Sequence, residues 1–117
     1  MTTLVNPSYI KESIMKSKKT ALSRSHQAII LMQQAKRFFE SRQYKQALNY
    51  YTQVIDLGTT LNNLAYTLYM RGCAYEAVGN VEEACLDWNE AQELNHLHSL
   101  GVDCIQQALA KYQTYER

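Results

Sequence analysis

The sequence predicts an all-α protein in which helices pair and stack, and three observations support this prediction. The chain of 117 residues contains only four Gly and one Pro, and so few helix breakers are typical of nearly continuous helix. Apolar residues recur at three- and four-residue steps, as on one face of a helix. Two stretches also match each other at a fixed offset, which indicates stacked supersecondary units.

The helices follow in chain order from this apolar spacing. Residues 1–25 are expected to form a basic N-terminal segment with a short helix over 8–21. The run Ser23-Arg24-Ser25 offers candidate caps that separate it from the next helix. The further predicted helices cover residues 26–41, 44–57, 61–78, 80–95 and 99–115.

Breaks between these helices are predicted from the residues that end or cap a helix. They lie near Gln43, Gly58, Gly79 and Asn95. Gly58 and Gly79 are placed to end helices as C-caps. Asn80 is placed to cap the next helix, with Glu83 as its capping-box partner.

The two matching stretches carry small and aromatic residues at the same positions, 37 residues apart. The first set is Ala35, Phe38, Tyr44, Ala47, Tyr51 and Val54, and the second is Gly72, Tyr75, Val81, Ala84, Trp88 and Ala91. Small residues allow two helix backbones to cross closely, and rings fill the space between the helices. We therefore expect Gly72 and Ala84 to form a tight crossing, with Trp88 buried near Tyr75.

This pattern resembles the tetratricopeptide repeat, most clearly between Leu68 and Ala91. The resemblance covers roughly residues 28–95 and implies antiparallel helix pairs stacked as a short right-handed α-solenoid. The family's closing proline is absent from both copies. The family period is about 34 residues, so that three residues are inserted here, most simply within 59–61. Residues 26–95 would form two hairpins of this kind, and residues 96–117 a C-terminal capping helix.

The capping helix is predicted from its polar outer face. Gln106, Gln107, Lys111 and Gln113 can form a wet surface on it. Because about three repeats are usually needed for a stable stack, the helix over 8–21 is expected to cover the other end.

The resemblance also implies a concave groove lined by the first helix of each pair. The residues at those positions are Ile29, Met32, Lys36, Phe39, Tyr66, Tyr69, Met70 and Cys73. This mainly apolar and aromatic surface suits an amphipathic helix or an extended apolar peptide. Two alternatives stay open at this point, a groove open to a partner and a groove filled by residues 8–21.

The function implied by the resemblance is that of a non-enzymatic adaptor that binds another protein or peptide. One subgroup of the family binds the C-terminal carboxylate of chaperones through Lys, Asn and Arg. The matching positions here are Met32, Lys36, Met70, Leu100 and Cys104. Only Lys36 is polar, so that this carboxylate clamp is not predicted.

Charge is divided unevenly along the chain and suggests an alternative function. Residues 1–58 contain nine Lys and Arg against three Asp and Glu, whereas residues 59–117 contain three against eight. The halves therefore carry +6 and −5, and such asymmetry suggests an electrostatic partner. The alternative is a self-associating structural module, a homo-oligomer formed through these halves or through the end helices.

The basic run between Lys11 and Arg24 is interpreted as a solvated face, although phosphates or anionic lipid would also suit it. Neither nucleic acid nor a membrane is an expected partner. The acidic residues Glu82, Glu83, Asp87, Glu90 and Glu93 are expected on an exposed helix face, a docking surface at most.

No catalytic residues, cofactor or metal site are predicted. His96-x-His98 with Cys104 matches no structural zinc spacing, and no nucleophile triad or Gly-rich phosphate loop is recognisable. Three cysteines without a short-spaced pair argue against a disulfide framework. We expect a cytoplasmic protein, since the first residues contain no signal-peptide core.

Overall fold

The computed structural model describes residues 7–95 and 102–112, with the side chains of residues 24–94 and 104–112. These residues form five helices and no strand, in the order α1 (Pro7–Glu40), α2 (Tyr44–Leu57), α3 (Leu61–Ala77), α4 (Val81–Asn95) and α5 (Val102–Ala110). The prediction of an all-α protein is therefore confirmed. Helices also end at the predicted breaks near Gln43, Gly58, Gly79 and Asn95.

The last helix is shorter than predicted. It ends at Ala110, and the N–H of Tyr112 donates to the carbonyl of Leu109 (2.9 Å) in the turn that follows. The helix had been expected to run to residue 115. Its expected start at residue 99, together with His96, His98, Leu100 and Gln113, lies outside the described residues.

The first helix is longer than predicted and overturns the break at Ser23-Arg24-Ser25. Residues 7–40 form one continuous helix of 34 residues. No Gly or Pro lies between residues 8 and 40, and Ser or Arg inside a helix costs only a few tenths of a kcal/mol. The expected boundary at residue 25 therefore falls within α1. Residues 8–21 continue the helix instead of folding back, so that they do not fill the groove that residues 29–36 line.

Helices α1 and α2 run antiparallel. The ring of Phe38 stacks on Tyr50 with centroids 5.2 Å apart, and Phe39 meets Tyr44 edge-on at 5.3 Å. These pairs join the end of α1 to the first half of α2. Along the chain, α2 also packs on α3, α3 on α4, and α4 on α5.

The turn between α1 and α2 is closed by backbone hydrogen bonds at the end of α1. The N–H of Arg42 donates to the carbonyl of Phe39 (3.0 Å), and the N–H of Gln43 donates to the carbonyl of Phe38 (2.8 Å). This is the Schellman arrangement, in which one residue adopts a left-handed conformation. Arg42 is that residue, with φ of 63°.

The turn between α3 and α4 repeats this arrangement 37 residues later. The N–H of Gly79 donates to the carbonyl of Glu76 (2.9 Å), and the N–H of Asn80 donates to the carbonyl of Tyr75 (2.8 Å). Gly79 is the left-handed residue, with φ of 85°. The side chain of Asn80 then accepts from the N–H of Glu83 at 3.4 Å, as its predicted capping role requires. The two turns thus share one backbone geometry.

Exchanging the left-handed residues of the two turns is expected to change stability in opposite directions. Arg42→Gly should raise the free energy of unfolding by about 0.5–1 kcal/mol, because glycine tolerates positive φ. Gly79→Arg should lower it by about 1 kcal/mol, although a Cβ there would meet nothing within 4 Å. Urea unfolding of both variants measures the difference. A loss of stability in Arg42→Gly would contradict the assigned turn geometry.

The equivalent positions of the two matching stretches have the same burial. Three pairs are buried in both copies: Ala47 and Ala84, Tyr51 and Trp88, Val54 and Ala91. Ala35 and Gly72 are also both buried, whereas Phe38 and Tyr75, like Tyr44 and Val81, are partly buried. The sequence repeat therefore corresponds to a repeat in packing.

Trp88 is the largest fully buried side chain among the described residues. It packs with Leu68, Ile105 and Leu109, and its indole N–H donates to the carbonyl of Tyr69 (3.1 Å). Gly72 lies directly against it, since a Cβ built on Gly72 would be 2.5 Å from the indole nitrogen. Gly72 was expected to allow a close crossing with Ala84. The side chain that lies nearest to Gly72 is instead that of Trp88. The burial of Trp88 is confirmed.

Tyr75 packs against the same cluster as Trp88. The aromatic ring that stacks on the indole is nevertheless Tyr112, with centroids 6.4 Å apart and planes at 19°. The sequence predicted only Tyr75 as a neighbour of Trp88. Tyr112 was not predicted because it follows α5 and lies outside the repeated stretches.

Candidate functional site

An open groove lies between α1 and α3 and contains half of the predicted groove residues. It encloses a cavity of about 270 Å³. Its lining consists of Ile29, Met32, Gln33, Lys36, Asn63 and Tyr66. We refer to these six residues as the α1–α3 groove.

The lining of the α1–α3 groove is apolar at its centre and carries one charge. Ile29 is 47% exposed although it is a large apolar residue, while Met32 and Tyr66 are half-buried. Lys36 is exposed and lies two helical turns after Ile29, about 10 Å along α1. Among the described side chains, the ion pairs are Arg71 with Asp87 and Lys111 with Glu76, and neither involves Lys36.

Two other predicted groove residues belong to the core beneath this surface. Phe39 and Met70 pack against the buried cluster of Ala35, Ala47 and Tyr51. Their side chains are only partly accessible. They support the groove and contribute little of its open surface.

The last two predicted groove residues, Tyr69 and Cys73, face α5. They line a separate cavity of about 350 Å³, the α3–α5 cavity. Its other lining residues are Glu76, Trp88, Cys104, Gln107, Ala108 and Lys111. Ile105, Ala108 and Leu109 of α5 are buried in the cluster around Trp88, which brings α5 over this part of α3. The predicted eight-residue groove is therefore divided, and α5 covers its second half.

Burial and neighbouring groups suppress ionisation of Tyr69 and Cys73 in the α3–α5 cavity. Burial raises the pKa of the Cys73 thiol. It also raises the pKa of Tyr69, to which the nearby Cys73 and Cys104 contribute. At neutral pH the cavity therefore contains a protonated thiol and a protonated phenol, and neither is activated as a nucleophile.

Glu76 ties the end of α5 to α3. Its Oε2 accepts from Lys111 Nζ at 2.7 Å and from the Tyr112 hydroxyl at 2.9 Å. The hydrogen bond to Glu76 raises the pKa of Lys111. Of the residues predicted for a wet outer face, Gln106 and Gln107 are exposed on α5 and Lys111 is exposed in the turn after it. Gln107 and Lys111 also line the α3–α5 cavity.

A third cavity was not predicted from the sequence. It measures about 590 Å³ and lies where α1 passes the end of α2. Gln27, Ile30 and Leu31 line it from α1, and Gln53, Asp56 and Leu57 from α2. The sequence does contain a signal for this cavity, the apolar pair Ile29-Ile30. Adjacent residues point to different sides of a helix, and Ile29 lines the α1–α3 groove while Ile30 lines this cavity. Ile30 is 51% exposed.

An ion-pair network missed by the sequence analysis joins three helices. The Asp87 carboxylate accepts from Arg71 Nε and from Arg71 Nη2, both at 2.8 Å. Arg71 Nη1 also donates to Thr52 Oγ1 of α2 at 3.3 Å. The network therefore fixes α2, α3 and α4 relative to one another and holds α3 against the first helix pair.

Asp87 corrects one predicted surface. It had been placed on the exposed acidic face of α4, but only 4% of it is exposed. Its helical phase gives the reason, since Asp87 lies three residues after Ala84 and four before Ala91, both of them buried. Glu82, Glu83, Glu90 and Glu93 remain exposed.

The core cluster against which Phe39 and Met70 pack contains a buried phenol, Tyr51. The hydroxyl of Tyr51 is buried and has no hydrogen-bond partner among the described residues. Burial raises its pKa, and Tyr66 and Cys73 add to the effect. Tyr51 is therefore neutral and contributes ring packing to the core cluster that it forms with Ala35 and Ala47.

Neither a metal site, a membrane span nor a known family is identified for the described part of the chain. Within the described residues, no three His, Cys, Asp or Glu side chains form a possible metal site. The described helices also include none with the length and apolar character needed to cross a bilayer. No protein-family model, curated protein or solved structure matches the chain. The fold and groove thus define the chain as an all-helical protein with an open apolar groove between α1 and α3.

Proposed function

We propose that this chain is a non-enzymatic adaptor with a tetratricopeptide-like arrangement of two helix pairs. In this proposal the α1–α3 groove binds a segment of another polypeptide. The observation that supports it best is the convergence of Ile29, Met32, Lys36 and Tyr66 on one open cavity. The phase that the repeat resemblance implies predicts all four of these residues as groove-lining.

The repeated packing supports the tetratricopeptide-like part of the proposal. Both helix pairs close with the same pair of turn hydrogen bonds, and equivalent residues have equal burial. In an α-solenoid of this kind the first helices of successive pairs line a common concave surface. Helices α1 and α3 hold that place here, and α5 occupies the place of the first helix of a third pair.

The chemistry of the groove defines the kind of peptide that it suits. Methionine adapts to different shapes, and tyrosine presents a rigid ring with a polar tip, so that both are favoured at interfaces. Ile29 and Lys36 are separated by two helical turns. A short amphipathic helix with an apolar face and one acidic residue near Lys36 would match this surface.

A pull-down from an extract of the source organism tests the proposal with paired variants. Met32→Glu with Tyr66→Glu places two carboxylates in the groove and should abolish capture of proteins retained by the wild-type chain. Leu61→Glu is the control, because Leu61 is 44% exposed in the first turn of α3, where an acidic residue is favoured. Its captured proteins should match those of the wild type.

The charge preference is tested with two synthetic amphipathic helices that differ in one position, Glu or Lys. The Glu peptide should bind more tightly, and Lys36→Glu should reverse the preference. Equal capture by the wild type and the double groove variant, with both folded by circular dichroism, would exclude the groove as the binding surface.

A further inference from the structure

Helix α1 extends far beyond the helix that packs on it. Its residues Gln27, Ile30 and Leu31 share a cavity with residues 53, 56 and 57 at the end of α2. Because the two helices are antiparallel, α2 stops at that point, and about twenty residues of α1 continue past it. At 1.5 Å per residue this part is roughly 30 Å long. We call residues 7–24 the projecting segment.

The projecting segment continues the apolar register that α2 covers farther along. Positions 28, 31, 35 and 38 of α1 follow three- and four-residue steps. Ala28 and Ala35 are buried, Leu31 lines a cavity together with residues of α2, and Phe38 packs against the cluster of Ala35, Ala47 and Tyr51. Two turns before Ala28 the same steps resume at Ala21 and lead back to Ser17, Ile14 and Ile10. Helices of this kind are stabilised mainly by packing of their apolar face. The projecting segment therefore has an apolar face in sequence register, and no helix of the described part of the chain packs on it.

The projecting segment is also strongly basic. It contains five Lys and Arg against the single acid Glu12, for a net charge of +4. In helical register, Lys11 and Lys18 flank the apolar positions, and Arg24 follows them. The side chain of Arg24 is exposed.

The outward face of α4 carries the complementary charge around an apolar residue. Leu86 is 58% exposed, the highest exposure among the large apolar residues of the described part. Exposed Glu82, Glu83, Glu90 and Glu93 lie within one helical face centred on it. The opposite face of α4 is buried through Ala84, Cys85, Trp88 and Ala91. With 15 residues, α4 is about 22 Å long, similar to the projecting segment.

We propose that the projecting segment of one copy binds the outward face of α4 in a second copy. Apolar positions of the segment pack on Leu86, and its Lys and Arg residues lie beside the glutamates. Charge decides which surface of a second copy the projecting segment binds. Two projecting segments repel each other, and the α1–α3 groove contributes Lys36. The contact joins two different surfaces, so that two copies exchanging their segments reciprocally form a two-fold dimer, whereas a one-way contact adds copies in series.

Charge reversal tests this contact on the full chain by sedimentation velocity. The wild type should associate at about 0.05 M salt and dissociate at about 0.5 M, since screening weakens exposed ion pairs. The segment variant Lys11→Glu/Lys18→Glu/Arg24→Glu and the α4 variant Glu82→Lys/Glu83→Lys/Glu90→Lys should each self-associate at least about tenfold more weakly. A 1:1 mixture of the two variants should associate again, because each then offers the charge that the other lacks.

A control with the same change of net charge is available elsewhere. Arg37, Arg42 and Lys45 are exposed near the first turn, and their replacement by Glu should leave association within about twofold of the wild type. Leu86→Ser should weaken association without changing charge. A wild type that stays monomeric at low salt, or variants whose mixture does not associate, would overturn the proposal.

This inference is independent of the proposed adaptor function. Met32→Glu with Tyr66→Glu alters the α1–α3 groove and should leave self-association unchanged. Failure of one proposal is therefore distinguishable from failure of the other.

Discussion

Trp88→Ala is expected to lower the free energy of unfolding by about 3–5 kcal/mol, the usual cost of truncating a large buried aromatic side chain. The indole is fully buried and fills the space against Gly72. It also stacks on Tyr112 and donates to the Tyr69 carbonyl. Domains of this size are stable by only about 5–15 kcal/mol, so the loss would remove a large share of the total.

The loss should be most severe for α5, because this helix has only nine residues. A helix so short depends on packing rather than on its own hydrogen bonds. Its buried residues Ile105 and Leu109 belong to the cluster that contains Trp88. The α3–α5 cavity should therefore open in Trp88→Ala, and the Cys73 thiol should become more accessible.

Urea unfolding followed by circular dichroism measures the stability of the variant, and thiol labelling measures the opening of the cavity. Trp88→Phe is the matched control. It keeps a ring but loses the indole N–H, and should cost less than half as much as Trp88→Ala. An alanine variant within about 1 kcal/mol of the wild type would contradict the central role of this side chain.

The helix pairs were predictable because their determinants are local and occur twice. Small residues at positions 35, 47, 72 and 84 allow close packing, and rings at positions 51 and 88 fill the core. Gly58 and Gly79 adopt the positive φ that the end of a helix favours. Each signal depends on residues that are close in sequence, and such signals can be recognised from the sequence alone.

The continuity of α1 was less predictable. Serine and arginine at 23–25 resemble a cap, but they also fit inside a helix at small cost. The choice depends on whether the apolar register continues across them, and Ala21 and Ala28 do lie on the same helix face, two turns apart. The predicted break followed the local cap signal at residues 23–25 and not the apolar pattern that extends across them.

The groove was predictable only where no distant element intervenes. Ile29, Met32, Lys36 and Tyr66 meet because the phases of α1 and α3 place them on one side. Tyr69 and Cys73 have the same phase on α3, yet α5 lies over them. Nothing near residue 70 encodes the position of a helix that begins thirty residues later.

Asp87→Ala is expected to lower the free energy of unfolding by about 2–4 kcal/mol, somewhat less than the cost of breaking a fully buried ion pair. The Asp87 side chain is 6% exposed and that of Arg71 is 19% exposed. Removing the carboxylate leaves the guanidinium with Thr52 as its remaining hydrogen-bond partner in the network. The partly exposed guanidinium can recruit some water, which is why the upper end of the usual range is not expected.

The comparison that isolates this pair is a double-mutant cycle with Arg71→Met. The double variant Arg71→Met/Asp87→Ala should cost less than the sum of the single changes, since no buried charge is left without its partner. Glu90→Ala, an exposed change on the same helix, should stay within about 0.5 kcal/mol of the wild type. Because the network joins α2, α3 and α4, Asp87→Ala should also loosen α3 against the first pair and weaken peptide binding in the α1–α3 groove. If Asp87→Ala costs no more than Glu90→Ala, the network does not hold the helix pairs together.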